Sequence, residues 1–320
     1  KSPISTVLIA ILLGILMGNA FTPRPGMMIG LDFTQQYILK LGIIFLGIRL
    51  SFADFIKFGS IAIPLIIICI VGVLILIKLL IKKVPISSKM SYLIAIGTSV
   101  CGATAIVATA PVINAKKSEV AYAIANITLF GVIAMLLYPY FAEWYFDNEA
   151  LNVGLFLGTS IHETSQVAAA GLIYDQQFNS PETLNVATVT KLIRNTFLVI
   201  LIPLFAFLYN RGEFKGQKYS IFNIFPYFVL GFIGMIIVRN LGDQLYPTES
   251  NNYEIWVNLI EYLKILATVF LTMAMAAVGI SINLSELKSM GYKPFVVGLI
   301  AAVTVGIISL IYIETLQKFI

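Results

Sequence analysis

Five ionisable or amide side chains lie in stretches that are otherwise apolar or small. His162, Glu163 and Gln166 occur in the run SIHETSQVAAAG, and Lys191 and Arg194 occur in ATVTKLIRN. His162 and Gln166 are four residues apart and share a helix face, and Lys191 and Arg194 are three apart and do the same. Charged groups at such depth are costly and usually functional. The alternative is a neutral hydrogen-bonded cluster that only joins helices.

These residue types favour binding of an anion and transfer of a proton. Arginine binds two oxygens of an oxyanion at once through its planar fork, so Arg194 is a candidate ligand, with Lys191 as a second cation. His162 is the only histidine in the chain, and histidine has an ordinary pKa near neutrality. His162 could therefore carry a coupling proton, as could Glu163. Lys191 and Arg194 could instead form an ion pair with Glu163, and that pair could open onto substrate.

A second candidate stretch, GTSVCGATAIVATAP, runs from Gly97 to Pro111 and has few large side chains. Its glycines and proline weaken a helix, and its hydroxyl groups can satisfy the freed backbone groups. A helix break inside the membrane exposes half-helix N-termini, which attract anions. Close helix packing through small residues is the alternative. The predicted substrate- or ion-binding residues are Thr98, Ser99, Cys101, Thr104, His162, Glu163, Gln166, Lys191 and Arg194.

Several functions are not expected. HETSQ resembles the zinc motif HExxH, but Gln166 replaces the second histidine, so neither a metal site nor another cofactor is predicted. Cys101 is expected to be a small buried hydrophobe. Neither Cys101 nor Ser99 has an evident general base, and the chain has no phosphate-binding loop, so we predict no enzyme. The net charge of +5 comes from basic loops between apolar runs, so no nucleic-acid partner is expected.

The composition indicates what positions these residues. The 320 residues are 59% hydrophobic and 12% charged, against about 45–50% and about 25% in soluble domains; the mean hydropathy is +0.92. The predicted fold is an all-α polytopic transmembrane bundle of about ten segments, forming one transporter domain over residues 1–320. The segments are 4–20, 36–52, 60–81, 91–111, 119–139, 151–172, 186–209, 221–239, 262–281 and 295–313.

Loop charges set the expected orientation. Basic residues follow segments three and seven and are placed in the cytoplasm, whereas the loop after segment five and the loop 240–260 are acidic and are placed outside. Lys116 and Lys117 also follow segment four, so that segment would begin and end inside. We therefore favour discontinuous or re-entrant helices for segments four and six. The alternative is that both cross fully and Lys116 and Lys117 are exceptions.

Internal similarity supports this interpretation. Residues 97–106 read GTSVCGATAI and residues 158–167 read GTSIHETSQV, while 47–59 (GIRLSFADFIKFG) match 279–291 (GISINLSELKSMG). Segments one and eight also begin alike. Each matched pair would run in opposite directions, as in the inverted repeats of secondary transporters. Chance similarity between glycine-rich apolar helices is the alternative.

Taken together, the quoted motifs resemble the YeiH-type family of bacterial membrane proteins, over nearly the whole chain. The resemblance implies a multi-pass protein of the bacterial inner or plasma membrane, related in fold to bile-acid symporters and cation–proton antiporters, with one more helix before Lys1 and with sulfate as the assigned exported solute. We expect a proton-coupled secondary transporter that exports a small oxyanion. The alternatives are a sodium- or proton-coupled carrier of cations or organic acids and a passive anion channel. The expected partners are a small anionic solute, a proton or sodium ion, the lipid bilayer and a second copy in a homodimer.

Overall fold

The structure is a computed structural model, and it describes residues 5–21, 25–80, 87–210, 226–282 and 292–317. Within these ranges the chain forms helices joined by turns, and no strand occurs in them. Within them, seven continuous helical stretches, two of which combine shorter helices, are long and apolar enough to cross a membrane. The prediction of an all-α protein with several membrane-spanning helices is therefore confirmed.

The helices follow the predicted segments, with longer ends where polar or aromatic residues extend an apolar run. The α-helices, in chain order, are α1 (Thr6–Ala20), α2 (Pro25–Phe33), α3 (Leu39–Leu46), α4 (Phe52–Leu80), α5 (Ser88–Ser99), α6 (Ala103–Thr109), α7 (Lys117–Phe146), α8 (Ala150–Ser160), α9 (Thr164–Phe178), α10 (Pro181–Thr196), α11 (Leu198–Asn210), α12 (Phe228–Leu245), α13 (Tyr253–Ser281) and α14 (Tyr292–Gln317). A π-helical turn, Thr34–Ile38, joins α2 to α3, and a 3-10 turn, Gly47–Arg49, follows α3.

Several predicted boundaries differ from the observed helices, among them those of segments two, eight and nine. Segment two extends back to Pro25 through α2, and segment nine begins at Tyr253. Segment eight corresponds to α12, Phe228–Leu245, and its predicted residues 221–225 lie outside the described part of the chain. The prediction located the apolar stretches, but helices also include flanking polar residues that carry no hydropathy signal.

Predicted segments four and six are both interrupted. The first becomes α5 and α6, separated by Val100, Cys101 and Gly102, and the second becomes α8 and α9, separated by Ile161, His162 and Glu163. We call residues 88–109 the first hairpin and residues 150–178 the second hairpin. Their tips are 100–102 and 161–163.

The first hairpin begins and ends at the same end of the molecule. The Lys89 ammonium donates to the Asn114 carbonyl at 2.6 Å, and the Ser87 hydroxyl donates to the Glu119 carboxylate. A Cβ on Gly97 would lie 2.9 Å from Cδ1 of Ile106, so the two arms pack on each other. Because Lys89, Lys116 and Lys117 gather here, we call this the basic end.

The second hairpin begins and ends at the opposite end. Near the end of α9, the Tyr174 hydroxyl donates to Glu143 and, at 3.1 Å, to Asn148. At the start of α10, the Thr183 hydroxyl donates to the Ala150 carbonyl at 3.4 Å. Helix α7 runs from the basic end to this acidic end, named for Asp147 and Glu149 between α7 and α8. The two hairpins therefore enter the bundle from opposite ends.

The remaining helices divide into two packed groups. Helices α1, α2, α3, α12 and α13 form a panel, in which α13 packs against α1 and α3 and α12 packs against α3. Glycines bring α1 and α13 together, since a Cβ on Gly14 would lie 2.5 Å from the Ala276 carbonyl oxygen. Helices α4 and α14 pack against each other and against both hairpins. Helix α10 packs against α8 and α9, so Lys191 and Arg194 lie beside the tips.

Candidate functional site

The two hairpin tips meet around Lys191. Its side chain is fully buried, and its ammonium donates to the carbonyls of Val100 and Ile161, both at 2.9 Å, and to the carbonyl of His162. An ammonium has three donors, and all three are used here. Lys191 therefore joins the first tip to the second through main-chain oxygens.

Arg194 makes the same connection one turn further along α10. It is also fully buried; its Nε donates to the Ser99 carbonyl at 2.8 Å, and its two other nitrogens donate to the carbonyls of Thr159 and Thr98. These three carbonyls belong to the last residues of α5 and α8. A helix C-terminus carries partial negative charge and unpaired carbonyls. Arg194 supplies both a positive charge and hydrogen bonds to two such ends.

Glu163 lies at the opposite kind of helix end. Its carboxylate accepts from the backbone N–H of Ala103, the first residue of α6, at 3.4 Å. It also directly precedes α9, where its own N–H donates to the Gln166 side chain at 3.2 Å. Helix N-termini carry partial positive charge. One carboxylate therefore lies beside the starts of both α6 and α9.

Gly102 makes the approach of Glu163 possible. Gly102 has φ +64° and ψ −127°, a conformation that only glycine adopts readily. A Cβ at this position would lie 2.4 Å from Cγ of Glu163. The first tip therefore needs a glycine both for its backbone turn and for the space that the carboxylate occupies.

The buried charges do not cancel. Within the described residues, no ion pair within 4.0 Å joins Glu163 to Lys191 or Arg194; those present there are Arg49–Asp175, Arg239–Asp243 and Lys264–Glu261. The alternative of a direct ion pair is thus not observed. The two cations and one carboxylate leave a net formal charge of +1 when His162 is neutral.

Polar side-chain atoms without a hydrogen-bond partner surround the tips. They belong to the last residues of α5 and α8, to the second tip and to α10. They are Thr98 Oγ1, Ser99 Oγ, Ser160 Oγ, both ring nitrogens of His162, Thr190 Oγ1 and Asn195 Oδ1. All are buried. A buried polar atom without a partner costs about 1–3 kcal/mol, and such atoms are few in native proteins. A bound polar solute or ordered water at the tips would satisfy these atoms.

The predicted residues separate into those at the tips and those beside them. Eight of the nine lie in the tips, directly precede them or form hydrogen bonds there, including Gln166, whose side chain accepts from the Glu163 N–H at 3.2 Å. Gln166, in the first turn of α9, also donates to the Thr128 carbonyl of α7 at 3.4 Å. Cys101 is a buried free thiol in the first tip. Thr104 lies one residue beyond the start of α6 and is exposed.

The predicted site residues do not include Ser160, Thr190 or Asn195. Ser160 holds the same place in the second Gly-Thr-Ser motif as Ser99 in the first, so the repeat could have identified it. Asn195 donates to the Thr164 hydroxyl at 2.8 Å, which joins α10 to the start of α9. Thr190 and Asn195 flank the two cations in sequence, but only the fold places them against the tips.

The chain matches the sequence family described as "Conserved hypothetical protein 698" over residues 1–298. A UPF0324 membrane protein of Streptococcus agalactiae is 35% identical over 303 residues, covering 93% of this chain and 86% of the relative. A UPF0324 membrane protein of Fusobacterium nucleatum is 33% identical over 314 residues, covering 96% and 89%. The UPF0324 inner membrane protein YeiH of Escherichia coli is 32% identical over 305 residues, covering 92% and 81%.

No solved structure matches the chain. The family assignment thus rests on sequence. The resemblance predicted from the motifs is confirmed, as is a multi-pass location in a bacterial cell membrane. The chain belongs to the UPF0324 family of bacterial membrane proteins, which includes YeiH.

Proposed function

We propose that the protein is a secondary transporter that exports a small oxyanion, such as sulfate or an organosulfonate-derived anion. The observation that carries this proposal is the pair of buried cations, which exceeds the one carboxylate at the tips by a formal charge of +1, beside a cluster of unpartnered hydroxyl groups. An anion placed there would neutralise the charge and accept hydrogen bonds from the hydroxyls.

The cations and the hydroxyls have different roles in this proposal. Lys191 has no donor left for a solute, since all three protons face carbonyls. Arg194 uses three donors of its five, so it can offer the remainder. The principal donors to the anion are then the hydroxyls of Ser99 and Ser160, within the positive potential of the two cations. The His162 ring and the Glu163 carboxylate are the candidate carriers of a coupling proton.

The proposed topology has eight crossings and two re-entrant hairpins, ten segments in all. It is supported by the contacts that bring both ends of each hairpin together. With the basic end in the cytoplasm, Lys116 and Lys117 agree with the positive-inside rule. The eight crossings would be α1, α2–α3, α4, α7, α10–α11, α12, α13 and α14.

An inverted repeat is also part of the proposal, and the packing supports it. If α1 corresponds to α12 and α3 to α13, the contact of α1 with α13 has its counterpart in the contact of α12 with α3. If α4 corresponds to α14 and the first hairpin to the second, the contact of α4 with α5 matches that of α14 with α8. Such pairing is the arrangement that lets secondary transporters alternate access to one site.

Transport of radiolabelled anions into proteoliposomes tests the proposal. We expect saturable uptake of sulfate, sulfite or a sulfonate that is accelerated by unlabelled anion on the opposite side and by a pH gradient. Ser99→Ala with Ser160→Ala should raise KM, because both donors to the anion are lost. Uptake that is indifferent to every anion and to pH would refute the proposal. Current without exchange would indicate a channel, and dependence on cations alone would indicate a cation carrier.

A further inference from the structure

The second arms of the two hairpins have different surroundings. Helix α9 packs against two panel helices, α1 and α13. Helix α6 packs against α5, α7 and α11, and its described contacts include no comparable packing against the panel. In the proposed repeat these two arms are equivalent, so equal surroundings would be expected.

Matched residues of the two arms differ in exposure. The Gly-Thr-Ser alignment pairs Thr104 with Ser165 and Val107 with Ala168. Thr104 is exposed, whereas Ser165 is 6% exposed. Val107 is 57% exposed, whereas Ala168 is 2% exposed. The α6 arm thus exposes positions whose counterparts on α9 are buried.

Polar contacts hold α9 against the panel at the acidic end. Arg49, directly after α3, forms an ion pair with Asp175 of α9 at 3.2 Å, and both side chains are mostly buried. Gln176 of α9 accepts from the Ser5 hydroxyl at 2.7 Å and from the Thr6 backbone N–H at 2.9 Å, at the start of α1. We call these contacts, formed by Arg49, Asp175, Gln176 and Ser5, the outer latch.

We propose that this conformation is the cytoplasm-open state of the transporter and that the outer latch closes the external route to the hairpin tips. This rests on the proposed function. In the opposite state, α6 packs against the panel in the way that α9 does here. The latch then opens, and the face of α9 that carries Ala168 becomes accessible from outside. Thr104 and Val107 line the cytoplasmic route.

Labelling of single introduced cysteines tests the assignment. Val107→Cys and Ala168→Cys are made separately in the full chain, and wild type sets the background because Cys69 and Cys101 are buried. A membrane-impermeant maleimide is added to spheroplasts, which expose the outside, and to inside-out vesicles. We expect Val107→Cys to react from the cytoplasmic side and Ala168→Cys to react from neither side above background.

Opening the latch should change the labelling rates of the two cysteine variants in opposite directions. Asp175→Asn removes the ion pair, so labelling of Ala168→Cys from outside should rise about fivefold while labelling of Val107→Cys falls. The exchanged pair Arg49→Asp with Asp175→Arg should restore the original pattern. Asp243→Asn is the matched control, since it breaks the Arg239–Asp243 ion pair, which lies within α12 of the panel. It should leave both labelling rates unchanged.

Three results would overturn the proposal. The first is a Val107→Cys variant that no hydrophilic reagent reaches from the cytoplasm, which would place this face in lipid. The second is equal labelling of Ala168→Cys and Val107→Cys. The third is labelling that Asp175→Asn and Asp243→Asn change alike. Labelling is measured without transport, so the two proposals can fail separately. If anions are taken up but Asp175→Asn does not change labelling, only the latch is rejected. If Asp175→Asn changes labelling but no anion is taken up, only the proposed transport of an oxyanion is rejected.

Discussion

The two hairpin tips follow the same three-residue motif and differ in the last two residues of each tip. Gly97 and Gly158 each open a Gly-Thr-Ser motif, after which the helix stops and Lys191 and Arg194 bind the free carbonyls. The first tip then continues with Cys101 and Gly102, and the second with His162 and Glu163. The shared residues end a helix, and the different ones decide which tip carries ionisable groups.

This difference shows why a repeated element need not be chemically symmetric. A single carboxylate, Glu163, lies beside the N-termini of both α6 and α9, and Gly102 leaves room for it. A second carboxylate at position 102 would place two like charges together in a buried site, which is costly. One tip therefore supplies the charge, while the other supplies the space.

Loss of Arg194 should lower stability the most, because it removes the hydrogen bonds that join the two hairpins. Arg194→Met leaves the carbonyls of Thr98, Ser99 and Thr159 without these bonds. An unsatisfied buried group costs about 1–3 kcal/mol, so we expect unfolding in detergent to become easier by about 3–5 kcal/mol, with both hairpins loosened. Lys264→Met is the control, since its 3.7 Å ion pair with Glu261 is partly exposed and the substitution should cost under about 1 kcal/mol. Equal midpoints for the two variants would contradict the joining role of Arg194.

Substitution of Gly102 should have the next largest effect on stability, because the first tip leaves space there for the Glu163 carboxylate. Gly102→Ala places a Cβ 2.4 Å from Cγ of Glu163 at a φ of +64°. Backbone strain and overpacking each cost about 1–3 kcal/mol, so we expect a loss of about 2–4 kcal/mol in detergent unfolding. Adding Glu163→Ala should recover the overpacking part and leave the strain. If the double variant is no more stable than Gly102→Ala, the carboxylate is not what the glycine accommodates.

Sequence alone located the ionisable tip but not its partners. Hydropathy and charge identified Lys191, Arg194, His162 and Glu163, because ionisable groups stand out in apolar runs. The sequence could not show that both cations bind backbone carbonyls. Every residue has a carbonyl, and no sequence pattern indicates which carbonyls lack a hydrogen bond within a helix. The helix breaks were predictable from glycine content and loop charge.

Arg49 illustrates the same limit for long-range contacts. Its place near one end of a predicted segment favours a side chain that extends to the membrane interface. The structure pairs it with Asp175, 126 residues further along the chain. No local pattern specifies that pairing, because it depends on how the panel packs against α9.

Alanine substitutions of the two motif glycines, Gly97 and Gly158, should lower stability by smaller and unequal amounts. A Cβ on Gly158 would lie 2.8 Å from the Ala187 carbonyl oxygen of α10, so the backbone would have to move. A Cβ on Gly97 would lie 2.9 Å from the end of the Ile106 side chain, which can rotate. We expect Gly158→Ala to cost about 1–3 kcal/mol and Gly97→Ala under about 1 kcal/mol in the same unfolding assay. The reverse order would show that the first hairpin, not the second, is packed more tightly.

The smallest effect on stability is expected at Ser160, which directly precedes the second tip and is a proposed hydrogen-bond donor to the solute. The Ser160 hydroxyl is buried and has no partner, so Ser160→Ala removes an unsatisfied group and should leave stability within about 0.5 kcal/mol or raise it. Anion uptake should nevertheless show a higher KM. Ser309→Ala is the matched control, because the buried Ser309 hydroxyl bonds the Thr159 hydroxyl of α8 at 2.7 Å. That variant should lose about 1 kcal/mol while its KM for the anion stays unchanged. A serine at position 160 whose loss weakens folding but not uptake would instead be structural, and the solute would have to bind elsewhere along the tips.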